Sequence, residues 1–238
     1  MSTNIYSRIL LKISGEVLQG RNKFGIDINS LKKIAKEIKL ILNIGVQVGL
    51  VIGSGNLFRG TTLSKVGINR IACDHIGILS TIINSLAMQD IMNNYSIHSC
   101  VMSPIPLHGI CETYTYQRAI KLLSKHYVVI FAAGIGNPLF TTDSAACLRG
   151  IETQSDIILK GTKVDGVYSK DPEKYSQVTL YKKLTYRDVI KHELKVMDLS
   201  AFLLARDHNL PIIVFNINKN ESLYRIIKGY NEGTIITN

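Results

Sequence analysis

Short β-branched runs alternate with helical patterns along this 238-residue chain. That alternation restricts the fold more than any composition figure. Strand–helix repeats bury their apolar faces most readily as a largely parallel sheet covered by helices, an α/β fold. Strands are expected at 8–12, 46–52, 97–102, 127–131, 157–160, 212–215 and 234–236. Helical spacing marks a helix from an N-cap at Ser30 through Leu42, a long one over 68–94, and shorter ones over 116–124, 199–208 and 222–228. Thr142 or Asp143 is expected to cap a further helix ending at Glu152. Residues 161–195 are less periodic and read as loops and a hairpin over the site. With no repeat or low-complexity tract in between, one domain with two lobes is expected, 1–155 and 156–238.

Three of the expected strands run into glycine turns, Lys12-Ile-Ser-Gly15, Gly53-Ser-Gly-Asn56 and Gly134-Ile-Gly-Asn137. Glycine at the C-terminal end of a strand lets backbone N–H groups face an anion, and a following helix adds its dipole. One such turn has a purely steric explanation. Three at the same end of one sheet point to a surface that cradles phosphates. Lys12 interrupts an apolar strand, where a charge is costly without a partner, and Arg59 follows the second turn. Asp143 and Asp198 sit at helix starts, where an ordinary N-cap is the competing explanation.

The familiar nucleotide motifs are missing. The spacing closest to a P-loop, Gly161-Thr-Lys-Val-Asp-Gly166, continues with Val167 rather than lysine. Gly53-Ser-Gly55 lacks the third glycine of a dinucleotide fingerprint, and the protein-kinase set is absent. Four cysteines are scattered without C-x-x-C, and the six histidines show no ligand spacing, so a reducing cytoplasm is expected and a catalytic zinc is not. No uninterrupted apolar run reaches bilayer length, so no membrane role is expected.

The net charge of +10 names no partner by itself. Residues 1–60 carry nine Lys/Arg against three Asp/Glu, and residues 160–195 nine against five. Much of the excess lies on helix faces such as Lys32, Lys33, Lys36 and Lys39, and compositional drift explains most of it. No recognition helix or aromatic RNA motif accompanies it, so nucleic acid is not the expected ligand.

Taken together, Lys12-Ile-Ser-Gly15, Gly53-Ser-Gly-Asn-Leu-Phe-Arg-Gly60, Gly136-Asn-Pro-Leu-Phe-Thr-Thr-Asp143, Lys163-Val-Asp-Gly-Val167, Glu193-Leu-Lys-Val-Met-Asp198 and Ala205-Arg-Asp-His208 resemble the amino-acid kinase superfamily. Within it they look like the bacterial-type uridylate kinase branch, over nearly the whole chain. The resemblance implies a three-layer αβα sandwich around a mainly parallel sheet, and transfer of the γ-phosphoryl group of ATP to UMP in pyrimidine nucleotide synthesis. It implies an acceptor lobe in 1–155 and an ATP lobe in 156–238. It also implies catalytic roles for Lys12, Arg59, Asp143 and Asp198.

By the same resemblance, Lys12, Ile13, Ser14, Gly15, Gly55, Arg59, Thr162, Tyr168 and Asp171 would bind ATP, with Mg²⁺ arriving as MgATP and no direct metal ligand. Ser54, Asp74 and the stretch Ile135, Gly136, Asn137, Pro138, Leu139, Phe140, Thr141 and Thr142 would bind UMP. UTP would inhibit by feedback, and the oligomer would be a homohexamer, with the long helix at 68–94 as an interface.

Two departures stand out. Ser54 and Ile135 replace a glycine and a threonine usual in the family, and Ile135 has no hydroxyl to offer. The family's GTP region, mapped to Gly20, Arg21, Asn22, Lys23, Phe24 and Gly25, is accompanied in many relatives by interface cations. Here the corresponding positions are Gln89, Asn93, Cys100 and Tyr127, so weak or absent GTP activation is expected. The competing readings are a carboxylate kinase of the same superfamily, of aspartate, glutamate or acetylglutamate type, and a nucleotide-sensing regulator.

Overall fold

In the computed structural model, residues 4–58, 67–172, 174, 175, 177–194 and 196–238 are described. Strand β1 (Arg8–Ile13) runs into a single helical turn, α1 (Gly15–Leu18), then α2 (Ile28–Leu42) and β2 (Gln47–Ile52). The long helix α3 (Arg70–Asn94) leads to β3 (Ser99–Ser103), β4 (Glu112–Thr113), α4 (Tyr116–Leu123) and β5 (Val128–Phe131). Helix α5 (Thr142–Glu152) and β6 (Ile157–Thr162) follow. The chain ends with β7 (Lys183–Thr185), α6 (Tyr186–Lys191), α7 (Leu199–Asp207), β8 (Ile212–Asn216), α8 (Ser222–Ile227) and β9 (Thr234–Thr237).

Nine strands form one sheet in the order β4-β3-β5-β2-β1-β6-β8-β9-β7. Every pairing is parallel except β8 with β9. The sheet sorts the chain. Strands from residues 8–131 occupy β1 and everything on one side of it, and strands from 157–237 occupy the other side.

Alternation along the strands divides the core in two. Ile9, Leu11 and Ile13 face one layer with α2, α3 and α8, while Leu10, Ile158 and Val214 face the other with α4, α5, α6 and α7. Each fully buried Ile or Leu contributes roughly 1.5–3 kcal/mol relative to exposure. Helices on both faces make the expected three layers.

Several expected boundaries shift for chemical reasons. The cap of α2 is Asp27 rather than Ser30, because the Asp27 carboxylate accepts from the N–H groups of Asn29 and Ser30 and from the Ser30 hydroxyl. Thr141, not Thr142 or Asp143, caps α5 by accepting from the Asp143 N–H. In 161–195 an antiparallel bridge joins Tyr168 and Leu180, but β7 and α6 also form there.

By length and mean hydropathy alone α3 could cross a membrane. Its buried Thr81, Asn84 and Ser85, however, face the interior of this domain rather than lipid.

Candidate active site

Parallel pairing of β5, β2, β1 and β6 brings the C-terminal ends of four strands together, and the three glycine turns meet there. Gly15 shows how closely. A Cβ at that position would lie 2.5 Å from the Gly55 nitrogen and 2.7 Å from the Gly53 carbonyl oxygen. Gly53 in turn stands where a Cβ would meet the Gly15 nitrogen and the Thr142 hydroxyl. The glycines therefore permit backbone-to-backbone contact between the first two turns, and the Gly53 N–H donates to the Ile13 carbonyl, which locks the second turn onto β1.

Two cavities open at this edge. The first, about 380 Å³, is lined by the first two turns (Lys12, Ser14, Gly15, Gly53, Ser54, Gly55), by Arg70, Asp74, Gly77 and Thr81 of α3, and by Ile135, Asn137, Phe140, Thr141 and Thr142. The second, about 740 Å³, is lined by Lys160, Thr162, Tyr168, Lys170, Asp171, Tyr175, His192 and Val214, among others. Ser14 lines both.

Buried charges join the two. Lys12 and Lys160 are register partners on β1 and β6, so the period-2 alternation sends both toward the α5 layer. There Asp143, in the first turn of α5, receives the Lys12 Nζ at 2.8 Å and the Lys160 Nζ at 2.7 Å, one on each carboxylate oxygen. Lys12 is 5% exposed, Lys160 6% and Asp143 9%. Burial alone would raise the Asp143 pKa, but the two lysines outweigh it and hold it at about 2. Burial pushes Lys160 down to about 8 against the pull of Asp143, with Lys12 adding to the depression. The Val196 carbonyl also accepts from Lys160. Two cations around one anion leave a net positive charge facing both cavities.

Asp198 serves differently. It caps α7 through the Ala201 N–H, and it accepts from the hydroxyls of Thr141, Ser144 and Ser200. Burial raises its pKa, but those hydroxyl and amide bonds outweigh that, for a net lowering. Its bonds fasten α7 to the start of α5 and so steady Asp143. Asp74 pairs with the Arg70 Nε at 3.0 Å and accepts from the Leu139 N–H at 2.9 Å, which bridges α3 to the third turn.

The remaining expected residues distribute as follows. Thr162, Tyr168 and Asp171 line the larger cavity, while Gly55 lines the smaller one together with Lys12, Ser14 and Gly15. Ile13 is fully buried in the core and lines neither cavity. Gly136, Pro138 and Leu139 complete the third loop, without themselves lining the cavity. Arg59 and Gly60 lie outside the described residues.

The 20–25 loop lines neither cavity. Arg21, Asn22, Lys23 and Phe24 are exposed, Gly20 packs beside Asp27, and Gly25 exchanges hydrogen bonds with Asn56.

Lys160 carries no local sequence signal, because only the register of β6 against β1 brings it beside Lys12. Arg118 stands beside Cys100 and Tyr127. It pairs with Glu112 at 2.7 Å, and Glu112 also accepts from the Cys100 thiol. Gln89 donates to the Ser99 carbonyl, and Tyr127 stacks on His98. Arg118 is thus already paired with a carboxylate.

A sheet edge bearing three glycine turns, the first two in backbone contact, with paired cavities joined by a Lys–Asp–Lys bridge, is suited to phosphoryl transfer between two ligands. The amino acid kinase family model matches residues 7–216, so the chain belongs to that family. Within the family it falls among the uridylate kinases. It is 80% identical over 239 residues to the uridylate kinase of Buchnera aphidicola subsp. Schizaphis graminum, an alignment covering 99% of this chain and 100% of that one. The uridylate kinase of Yersinia enterocolitica is 58% identical, covering 100% and 97%. The fold agrees with the crystal structure of UMP kinase from Bacillus anthracis, with a TM-score of 0.94, 40% identity, and coverage of 98% of this chain and 96% of that chain.

Proposed function

We propose that the enzyme moves the γ-phosphoryl group of ATP to UMP across the Lys12–Asp143–Lys160 bridge, giving UDP and ADP. The observation that carries this reading is that bridge, at the seam of two cavities that share Ser14. The smaller cavity takes UMP, with its ribose toward Asp74 and its phosphate toward the glycine turns and Lys12. The larger takes ATP, with its nucleoside along Thr162, Tyr168 and Asp171 and its phosphates toward Lys160. Arg59, next to the second turn in sequence, is assigned to the phosphates as well.

The acceptor is a phosphate monoester whose second pKa is about 6, so at neutral pH it is already a dianion able to attack phosphorus. A general base is unnecessary. The obstacle is repulsion between anionic donor and acceptor, which Lys12, Lys160 and the turn amides offset while holding the reacting oxygens in line. Asp143 contributes by orientation, keeping both ammonium groups at fixed positions.

Among the described residues no three His, Cys, Asp or Glu side chains form a metal cage, and Asp143 and Asp198 already hold lysines and hydroxyls. This donor set suits Mg²⁺ carried by the nucleotide's own phosphates, where it would neutralise charge. We further assign the enzyme to pyrimidine nucleotide synthesis in a reducing cytoplasm, in keeping with four free cysteines. UTP is assigned as feedback inhibitor through the UMP cavity. The assembly is a homo-oligomer, of which the hexamer is the family's usual form, built through the exposed apolar face of α3. GTP activation is weak or absent, because Arg118 is neutralised by Glu112.

A coupled kinase assay with UMP, CMP, dUMP, aspartate, glutamate and acetylglutamate, with and without GTP, tests the reading. UMP should be the preferred acceptor by a wide margin, and GTP should leave the rate at saturating ATP unchanged. Lys12→Ala should lower kcat far more than it raises KM. Turnover of a carboxylate in preference to UMP would move the chain to the other branch of its family.

A further inference from the structure

Helix α3 contains a buried polar line that the reaction above does not use directly. Thr81 is 3% exposed and Asn84 is fully buried, in a helix whose other buried residues include Cys73, Ile82, Met88, Ile91 and Met92. Each polar side chain is satisfied by a glycine turn rather than by solvent. The Thr81 hydroxyl accepts from the Ala133 N–H at 2.9 Å and donates to the Ile78 carbonyl at 2.6 Å. Ala133 has φ 59°, and Gly134 after it has the same value, so the third turn leaves β5 through two consecutive left-handed residues. An alanine there is strained and needs external support.

Three residues further along the same face, the Asn84 amide donates to the Gly53 carbonyl at 2.8 Å and to the Asn56 side-chain oxygen at 2.7 Å. The Asn56 amide returns a bond to the Asn84 oxygen at 2.9 Å and reaches the Gly25 carbonyl at 3.0 Å. Fixing the Gly53 carbonyl fixes the peptide plane that carries the Ser54 N–H, since the peptide unit is planar. One helix therefore grips two of the three turns from behind, one polar side chain for each.

We propose that Thr81 and Asn84 are positioning residues for phosphoryl transfer, holding the third and second glycine turns at the spacing the acceptor phosphate requires. The inference rests on the assignment of the smaller cavity to UMP. Leaving a buried amide or hydroxyl partner unsatisfied has a cost in stability wherever it occurs. A positioning role predicts something narrower, a loss confined to the acceptor side.

The test compares Thr81→Val, Thr81→Ser, Asn84→Asp and Ser85→Ala, measuring kcat, KM for UMP, KM for ATP and the melting temperature. Ser85 is the control, because among the described residues its buried hydroxyl bonds only the Thr81 carbonyl within the helix. Thr81→Val should lose about tenfold or more in kcat/KM for UMP while KM for ATP stays within about twofold, since small misplacements of a reacting group are heavily penalised. Thr81→Ser, which keeps the hydroxyl, should restore most of the loss, Asn84→Asp should fall in the same direction as Thr81→Val, and Ser85→Ala should match the wild type. Unchanged UMP parameters in Thr81→Val, equal movement of UMP and ATP parameters, or no rescue by serine would overturn the proposal. If Asn84→Asp does not fold, the two Thr81 variants still decide the matter. Failure of the wild type to phosphorylate UMP would overturn the cavity assignment instead, and the inference with it.

Discussion

At the scale of single residues, the chemistry depends on three charges that the fold confines together. Lys160 is the most exposed to pH. Its folded pKa of about 8 lies below the ordinary lysine value of 10.5, so between those values the folded state binds fewer protons than the unfolded one. The stability penalty of charging Lys160 is full below about 8 and is relieved as pH rises toward 10.5. Asp143 behaves oppositely. Its contribution is present above its ordinary value of 3.8 and is lost as pH falls toward about 2. Catalysis should follow the lysine. In free enzyme, kcat/KM for ATP should decline above about pH 8 as Lys160 loses its proton. With ATP bound, nearby phosphates stabilise the ammonium, so kcat should hold to higher pH. A pH–rate series on wild type and Lys160→Arg checks this, and the arginine variant should lose the decline near 8. A wild-type profile that stays flat through that range would remove Lys160 from the phosphate-binding role.

At the scale of elements, the contact between the first two turns is a mechanical requirement. Gly15→Ala would drive a methyl group into the Gly55 nitrogen and the Gly53 oxygen, both backbone atoms that cannot rotate away. The turns must then separate, and activity should fall by about 100-fold or more, as for other misplacements near the reacting atoms. Steady-state kinetics beside a melting curve would separate this loss from simple unfolding. The same elements explain what was legible beforehand. Glycine turns after β-branched runs mark the sheet and the edge where the two cavities open, because backbone sterics act locally. Asp27 and Thr141 as caps escaped, since neighbouring Ser30, Thr142 and Asp143 offer equally good capping chemistry and only the backbone path chooses among them. Lys160, Thr81 and Asn84 escaped for a different reason. Their roles come from cross-strand register and from helix-to-turn packing across sequence separations of 17 residues for Lys160–Asp143, 31 for Asn84–Gly53 and 52 for Thr81–Ala133, and no local pattern encodes them.

At the scale of the whole molecule, α3 presents opposite faces to different tasks. One lines the smaller cavity, while Leu79 and Ile83 on another are 54% and 51% exposed. Exposed branched apolar side chains one turn apart are a poor surface for a helix to leave in water. Ile83→Asp combined with Leu79→Asp should shift the assembly toward smaller species in size-exclusion chromatography with light scattering. An unchanged mass would assign the oligomer contact to another face.

Because β1 has the earlier part of the chain on one flank and the later part on the other, synthesis itself has a built-in order. Strands β1, β2, β3, β4 and β5 all precede residue 132, and Asp143 follows soon after. As the chain leaves the ribosome, this half can pair its strands and bring Lys12 to Asp143 before β6 has emerged and joined the sheet. The growing polypeptide thus carries a neutral lysine–aspartate couple first. The couple becomes cationic only when β6 docks and brings Lys160 to the second carboxylate oxygen, so the positive seam between the two cavities is completed by the later half of the sheet.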